Sequence, residues 1–405
     1  MFITYRSRLS LSKGFFQFGY AKTRIVRSIY SGENRQGWQY QYKGPSLRIA
    51  QIAPLYESVP PRLYGGTERV VSNLTEQLVN SGHKVTLFAS GDSLTSARLV
   101  SPCSTALRLS AKCVDPLPHH IISLDQVLWR LEEFDLLHFH TDYYHFPITK
   151  NLQLPSVTTL HGRLDIPDLQ PLYRCFSDIP VVSISLHQRL PLPEANWLAN
   201  IHHGVPATLY KPRFVRGDYL AFLGRMSPEK RPDRAIKIAL QTGMRLKMAA
   251  KVDPVDRDYF DSKIKPLLND PSIEFIGEIG DHEKSEFLGN AYAYLFPIDW
   301  PEPFGLTMIE AMACGTPTIA FRCGAVPEII TDRVTGFIVD DLQAAIESVA
   351  RIPEIERRTC RAVFEQRFTV ERMTSDYVSL YRRMLGEISE PDLLAYEPTP
   401  PAILQ

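Results

Sequence analysis

From Leu47 onward the chain alternates short apolar runs with longer amphipathic stretches, the pattern of a parallel β-sheet covered by helices. LRIAQIAP, KVTLFAS, LLHFH, SVTTLH and VVSIS predict the strands of a first unit, which IHHG closes. After LRIAQIAP, the residues Val70, Val71, Leu74, Leu78 and Val79 recur at helical spacing, and Gly82 supplies the stop. Near Pro212 to Gly217 the composition turns to KPRFVRG and the alternation restarts. YLAFLGR, LKMAAKV, IEFIGE, AYLFPI, PTIAF and GFIVD predict the strands of a second unit, and a helical period runs from Pro353 to about Glu387. A chain of 405 residues exceeds what one hydrophobic core usually supports. The expected division is a basic, poorly ordered extension over 1–46, an α/β domain over 47–212, a second over 213–375, and a terminal helix with a Pro-rich tail over 376–405. Two doubly wound parallel sheets in tandem place a cleft at their junction, and ligands of such sheets bind beyond the carboxyl ends of the strands.

The densest chemistry lies between Asp299 and Pro317, DWPEPFGLTMIEAMACGTP. Pro301 and Pro303 bracket Glu302, which puts that glutamate in extended backbone ahead of a helix. Leu306, Met308, Ile309, Ala311, Met312 and Ala313 make the helix apolar on most sides, and Gly315 with Pro317 ends it. Its one internal charge is Glu310, and a buried carboxylate needs a partner or a ligand. The turn Gly305-Leu306-Thr307 aims helix N-terminal N–H groups outward, a natural seat for phosphate. Two acids and an anion site together point to a sugar nucleotide.

Other predicted strand ends carry polar groups as well. Arg225 ends YLAFLGR and Lys230 is expected to begin the helix that follows, so that two cations meet at one strand-to-helix turn, suited to a diphosphate. No DxD-type metal motif adjoins them, so no divalent ion is expected. In the first unit Gly65-Gly66-Thr67-Glu68 precedes a helix that Gly66 or Thr67 is expected to cap. No G-x-G-x-x-G spacing occurs, which argues against a dinucleotide oxidoreductase. His138, His140, Asp142 and His145 cluster in LLHFHTDYYHF; His138-x-His140 on one strand face could suggest a metal, but none is expected there, because Phe139 and the neighbouring tyrosines fit a cleft wall equally well and no third ligand is placed.

A Glu, seven intervening residues and a second Glu, set in EPFGLTMIEAMACGTP, resemble the signature of retaining glycosyltransferases of family 4. The resemblance implies the GT-B fold, two Rossmann-like domains facing a cleft. It implies that Glu302 holds donor-sugar hydroxyls, Glu310 the ribose, and Arg225, Lys230, Gly305, Leu306 and Thr307 the diphosphate. His161, at the end of TLHG, would face the reactive carbon and act with Glu302 in catalysis, while Gly65, Gly66 and His140 form the facing loop wall. His203-Gly204-Val205 matches the family's interdomain connector, and the last helix would cross back to brace the first domain. The implied reaction moves a hexose from a nucleoside diphosphate, UDP-hexose first among donors, to an acceptor without cofactor or metal. Alternatives on the same fold are a sugar-nucleotide epimerase or a phosphorylase; from another class, a non-catalytic nucleotide-sugar-binding protein.

Charge and cysteine usage narrow the setting. Lys plus Arg and Asp plus Glu are 45 each, which gives no electrostatic case for nucleic acid. Residues 1–43 hold eight basic residues and one acid, leaving 37 basic and 44 acidic residues for the remainder. That segment resembles an organellar transit peptide, and equally fits a dispensable extension or a mis-called start. No apolar run is long enough to span a membrane. Six cysteines without a CxxC pair suit a reducing, cytoplasmic setting, with peripheral membrane contact left open.

Overall fold

The computed structural model describes residues 46–387 apart from Tyr64 and Ala111. The basic extension, except Ser46, and the Pro-rich tail from 388 lie outside the described residues. Seven strands form the first sheet: β1 Arg48–Ile52, β2 Lys84–Phe88, β3 Arg98–Val100, β4 Leu136–Phe139, β5 Ser156–Thr159, β6 Val181–Ser183 and β7 Trp197–Asn200, ordered β3-β2-β1-β4-β5-β6-β7 and all parallel. Six form the second: β8 Tyr219–Arg225, β9 Arg245–Lys251, β10 Ile273–Gly277, β11 Ala293–Phe296, β12 Thr318–Phe321 and β13 Gly336–Val339, ordered β10-β9-β8-β11-β12-β13 and again parallel. Each sheet reverses its strand order once, between β1 and β4 and between β8 and β11. Those are the points where an α/β sheet opens a crevice.

Strands buried on both faces are mostly apolar, which is why β4, β11 and β12 are legible in sequence, although β4 also buries His138 and β12 Thr318. The edges are not. β3 has three residues, none buried, and β7 is half-buried throughout, so neither presents a distinctive period. β7 therefore closes the sheet where IHHG was expected to; IHHG follows it as irregular backbone.

Six helices position the cleft: α1 Gly66–Asn80, α2 Pro232–Thr242, α3 Asp281–Gly289, α4 Leu306–Ala313, α5 Arg357–Arg367 and α6 Val370–Met384. The helical period expected to run unbroken from Pro353 is interrupted at Phe368-Thr369. There Thr369 takes an extended conformation and its hydroxyl accepts from the Arg372 N–H, starting a new helix ahead of residue 376. α6 then buries Val370, Met373, Tyr377, Leu380 and Tyr381 against Leu47, Ile49, Val70 and Leu74 of the first domain. The chain crosses between domains twice, and the two crossings pair: Val205 N–H donates to Phe368 O at 3.0 Å and Val370 N–H to Val205 O at 3.1 Å. A Cβ on Gly204 would lie 2.2 Å from Thr369 O, so only glycine fits beside this crossing.

Candidate functional site

One cleft of about 540 Å³ lies where the two sheets face each other, and every residue assigned a role from the sequence lines it: Gly65, Gly66, His140, His161, Arg225, Lys230, Glu302, Gly305, Leu306, Thr307 and Glu310. Arg225 ends β8 as expected. Lys230 does not open the helix; it sits in a 3₁₀ turn, Pro228–Lys230, after which Arg231 turns left-handed and α2 begins at Pro232. Pro232 sets the φ of a first helical residue, which delays the start.

Both cations are held by carboxylates. Arg225 pairs with Glu229 and lies 3.3 Å from Asp256 and 4.0 Å from Asp253. Lys230 pairs with Glu302 and packs over the rings of Trp300, 5.2 Å away, and Phe296, 5.6 Å away. Trp300 Nε1 donates to Glu302 Oε2 at 3.1 Å, and the Ala325 N–H holds the Glu302 carbonyl at 2.9 Å. Beyond Glu302, Gly305 takes φ 85° at the head of α4, and a Cβ there would come within 2.6 Å of Met308 Cε. A left-handed glycine thus starts α4 beside the cleft, which Gly305, Leu306 and Thr307 line.

Deeper in, Glu310 is 1 % exposed and its Oε1 accepts from Lys284 Nζ at 3.0 Å. Lys284 also meets Asp281 at 3.3 Å, and Asp281 pairs with Arg69 on α1. Four alternating charges therefore run from the first domain to the floor of the second. Burial alone would raise the Glu310 pKa, but the Lys284 and Arg69 charges and the hydrogen bonds outweigh it and leave the group ionised below its ordinary range. Sequence reasoning does not reach Lys284, Asp281 or Arg69; α3 has no clear apolar face and nothing local links its residues to 69 or 310.

On the first-domain side, neither Gly66 nor Thr67 caps α1: both are already helical, and Gly65 takes the cap position at φ 154° with no side-chain hydrogen bond. Gly66 lies close to Leu306 Cδ1, 3.5 Å from the position its own Cβ would take, so the two domains touch at this point. Glu68 follows on the cleft wall, 6 % exposed, and burial pushes its carboxyl up to about 7; backbone N–H groups and Arg108 pull it only part of the way back. An acid whose pKa is raised on folding costs nothing below its unfolded value near 4.5 and progressively more as pH climbs to 7. The difference in stability between Glu68→Gln and the parent should therefore shift in favour of the variant by up to about 3 kcal/mol between pH 4.5 and 7. Paired melting curves from pH 5 to 8 measure it; a constant difference would show that Glu68 stays ionised.

The histidines pack against one another and against α6. His138 is fully buried, with Nδ1 2.7 Å from Tyr381 Oη and Nε2 2.8 Å from Thr159 Oγ1. His140 Nδ1 lies 2.8 Å from His161 Nε2, and His203 of the connector also lines the cleft, stacked on His161 at 5.2 Å. Burial pushes His161 down to about 3 and holds His138, His140 and His203 well below the usual range, so all four rings are neutral. Among the described residues no group of three or more His, Cys, Asp or Glu side chains is placed to hold a metal.

Two parallel-sheet α/β domains facing one cleft define the GT-B class, and comparison with known proteins agrees. A model described as Glycosyltransferase Family 4 matches residues 64–223, and one described as Glycosyl transferases group 1 matches 211–363. The chain belongs to the family 4-like glycosyltransferases of GT-B fold. D-inositol 3-phosphate glycosyltransferase of Saccharomonospora viridis is 29% identical over 190 residues, 41% of this chain and 43% of that protein. GDP-mannose-dependent alpha-(1-6)-phosphatidylinositol dimannoside mannosyltransferase of Mycobacterium tuberculosis is 31% identical over 165 residues, covering 40% and 42%. The chain thus spans less than half the length of these curated relatives. The crystal structure of AviGT4, a glycosyltransferase involved in Avilamycin A biosynthesis, superposes with a TM-score of 0.64 at 25% identity, covering 84% of this chain and 99% of that one.

Proposed function

We propose that the protein is a retaining, metal-independent glycosyltransferase that moves a hexose from a nucleoside diphosphate to an acceptor hydroxyl. The observation that carries this reading is the corner formed by Arg225, Lys230 and the head of α4, flanked by carboxylates at two depths on one cleft. The diphosphate sits against that corner, the ribose at Glu310 and the hexose between Glu302 and His161. Breaking the sugar–phosphate bond builds positive charge at the anomeric carbon and negative charge on the departing phosphate, which Arg225, Lys230 and the α4 N–H groups stabilise without reorganising. The acceptor oxygen attacks from the face the phosphate leaves, and its proton passes to that phosphate. A glycoside hydrolase would need one carboxylate as acid and another as nucleophile or base. Here each carboxylate is held by its own lysine, Glu302 by Lys230 and Glu310 by Lys284, which suits hydroxyl binding. No described helix is long and apolar enough to cross a membrane. The six cysteines are free thiols, which supports a cytoplasmic setting.

A thermal-shift panel of UDP-, GDP- and ADP-hexoses identifies the donor, since a ligand at 100 times its Kd stabilises by about 2.7 kcal/mol. UDP-hexose is the first arm and GDP-hexose the second. With the donor radiolabelled, sugar linked to a new acceptor marks a transferase, an isomerised sugar nucleotide an epimerase, phosphate-dependent turnover a phosphorylase, and binding without turnover a carrier. Activity should persist in excess EDTA, because Arg225 and Lys230 take the place of an ion. Complete loss that Mg²⁺ restores would sink this part of the reading and turn attention to Asp253, Asp256 and Glu229 around Arg225, and to His138, His140 and Asp142.

Glu310→Gln should weaken binding of the nucleoside diphosphate by roughly 1.5 to 3 kcal/mol, about ten- to a hundredfold, since a charge-assisted acceptor is lost. Lys284 keeps Asp281 as partner, so the fold survives. Calorimetry checks it, and unchanged affinity would remove Glu310 from the ribose site.

A further inference from the structure

Behind His161 runs a line of buried polar groups that the transfer chemistry does not touch. Gln51 on β1 is fully buried, and its Oε1 lies 2.8 Å from His140 Nε2. An amide oxygen only accepts, so His140 carries its hydrogen on Nε2 and its Nδ1 is a lone pair. That lone pair faces His161 Nε2 at 2.8 Å, so His161 must donate there. A neutral ring has one N–H, which leaves His161 Nδ1 as an acceptor; it is buried and has no hydrogen-bond partner among the described residues. On its other side Gln51 Nε2 donates to Tyr381 Oη at 3.3 Å, and Tyr381 donates to His138 Nδ1 at 2.7 Å. His138 Nε2 donates in turn to Thr159 Oγ1, which bonds Tyr377 Oη at 2.8 Å. The line thus ties α6, which crosses back from the second domain, to the cleft.

Turning the Gln51 amide over would reverse every bond in this line. His140 would then donate from Nδ1, and His161 would accept at Nε2 and carry its hydrogen on Nδ1. A buried N–H without an acceptor is the costlier orphan, which favours the orientation described.

We propose that Gln51 is a positioning residue: through His140 it fixes His161 in the Nε2–H form, so that His161 meets a ligand in the cleft as a hydrogen-bond acceptor. A sugar hydroxyl, which can donate, satisfies that nitrogen; a phosphate oxygen, which cannot, is repelled. The inference rests on the reading that a hexose lies against His161, yet its first readout needs no substrate. In the full chain labelled with ¹⁵N-histidine, long-range ¹⁵N–¹H correlation spectra should show His140 and His161 both as Nε2–H, and both neutral from pH 6 to 8. His161 protonated on Nδ1 in the parent protein would overturn the proposal whether or not any donor turns over.

Gln51→Leu removes the acceptor. His140 should lose its single tautomer, and turnover should fall about tenfold while nucleotide affinity changes less than threefold. Gln51→Glu keeps an acceptor toward His140 and should restore both the spectrum and most of the turnover. Equal loss of turnover, affinity and melting temperature in the Leu and Glu variants would mean that Gln51 only supports the core. Parent-like spectra and turnover in Gln51→Leu would refute the inference, and a parent spectrum as described with no transfer from any donor would refute the assigned function alone.

Discussion

Lys230→Ala should lower turnover by about 10²–10³-fold, the largest single loss expected for this site. The ammonium group would do two things at once. On the proposed reading it meets the phosphate as the bond to the sugar breaks, and removing one preorganised donor from a developing charge costs on that order in kcat. It also holds Glu302, whose side chain is 12% exposed and would be left without its cation. The donor KM should therefore rise together with the fall in kcat. Lys230→Arg should recover only part of the loss, because a planar fork replaces a compact charge seated over Trp300 and Phe296. Steady-state kinetics with the identified donor decides it; turnover within threefold of the parent would move the diphosphate away from this corner.

For His161→Ala a different signature is expected: turnover falls by at least about 10²-fold while affinity for the nucleoside diphosphate stays within a few fold. His161 follows β5 in the first domain, whereas Arg225, Lys230, Glu302 and Glu310 all belong to the second, so the nucleotide is expected to bind without it. A group that contacts only the sugar contributes mainly as the transition state forms, and its removal lowers kcat rather than binding. The ring is neutral because burial keeps its pKa near 3, so the effect should not vary between pH 6 and 8. Loss of nucleotide binding in this variant would mean that the two domains do not divide the substrates as proposed. Unchanged turnover would take His161 out of the reaction.

Most of this site is legible in the sequence because its parts are local. Glu302, the glycine turn and Glu310 sit within one strand–turn–helix segment, and the prolines and small residues around them dictate where the helix starts. Arg225 is likewise placed by the seven-residue run of β8. Misplaced features fall where a local rule competes with another: Lys230 reads as a helix start until Pro232 claims that position, and Thr67 reads as a cap until Gly65 adopts the required backbone. β3 and β7 escape the pattern because short edge strands carry too few buried positions to show a period.

Periodicity and turn chemistry within a few residues account for the two-sheet architecture, the buried strands and the side chains at their ends, though not for the edge strands β3 and β7 or the break at Phe368-Thr369. Which polar groups meet is set by tertiary packing. Lys230 and Glu302 are 72 residues apart, Lys284 and Glu310 26, and Gln51 and His140 89. Arg69 reaches Asp281 only because the two domains close on each other, with Leu306 packed near Gly66. A lone glutamine in LRIAQIAP is a visible irregularity in an apolar strand, but its partner is set by the register of β1 on β4, which places Gln51 beside His138. Pairings of this kind depend on how whole elements pack and which polar groups are buried together, and no local pattern in the chain encodes that.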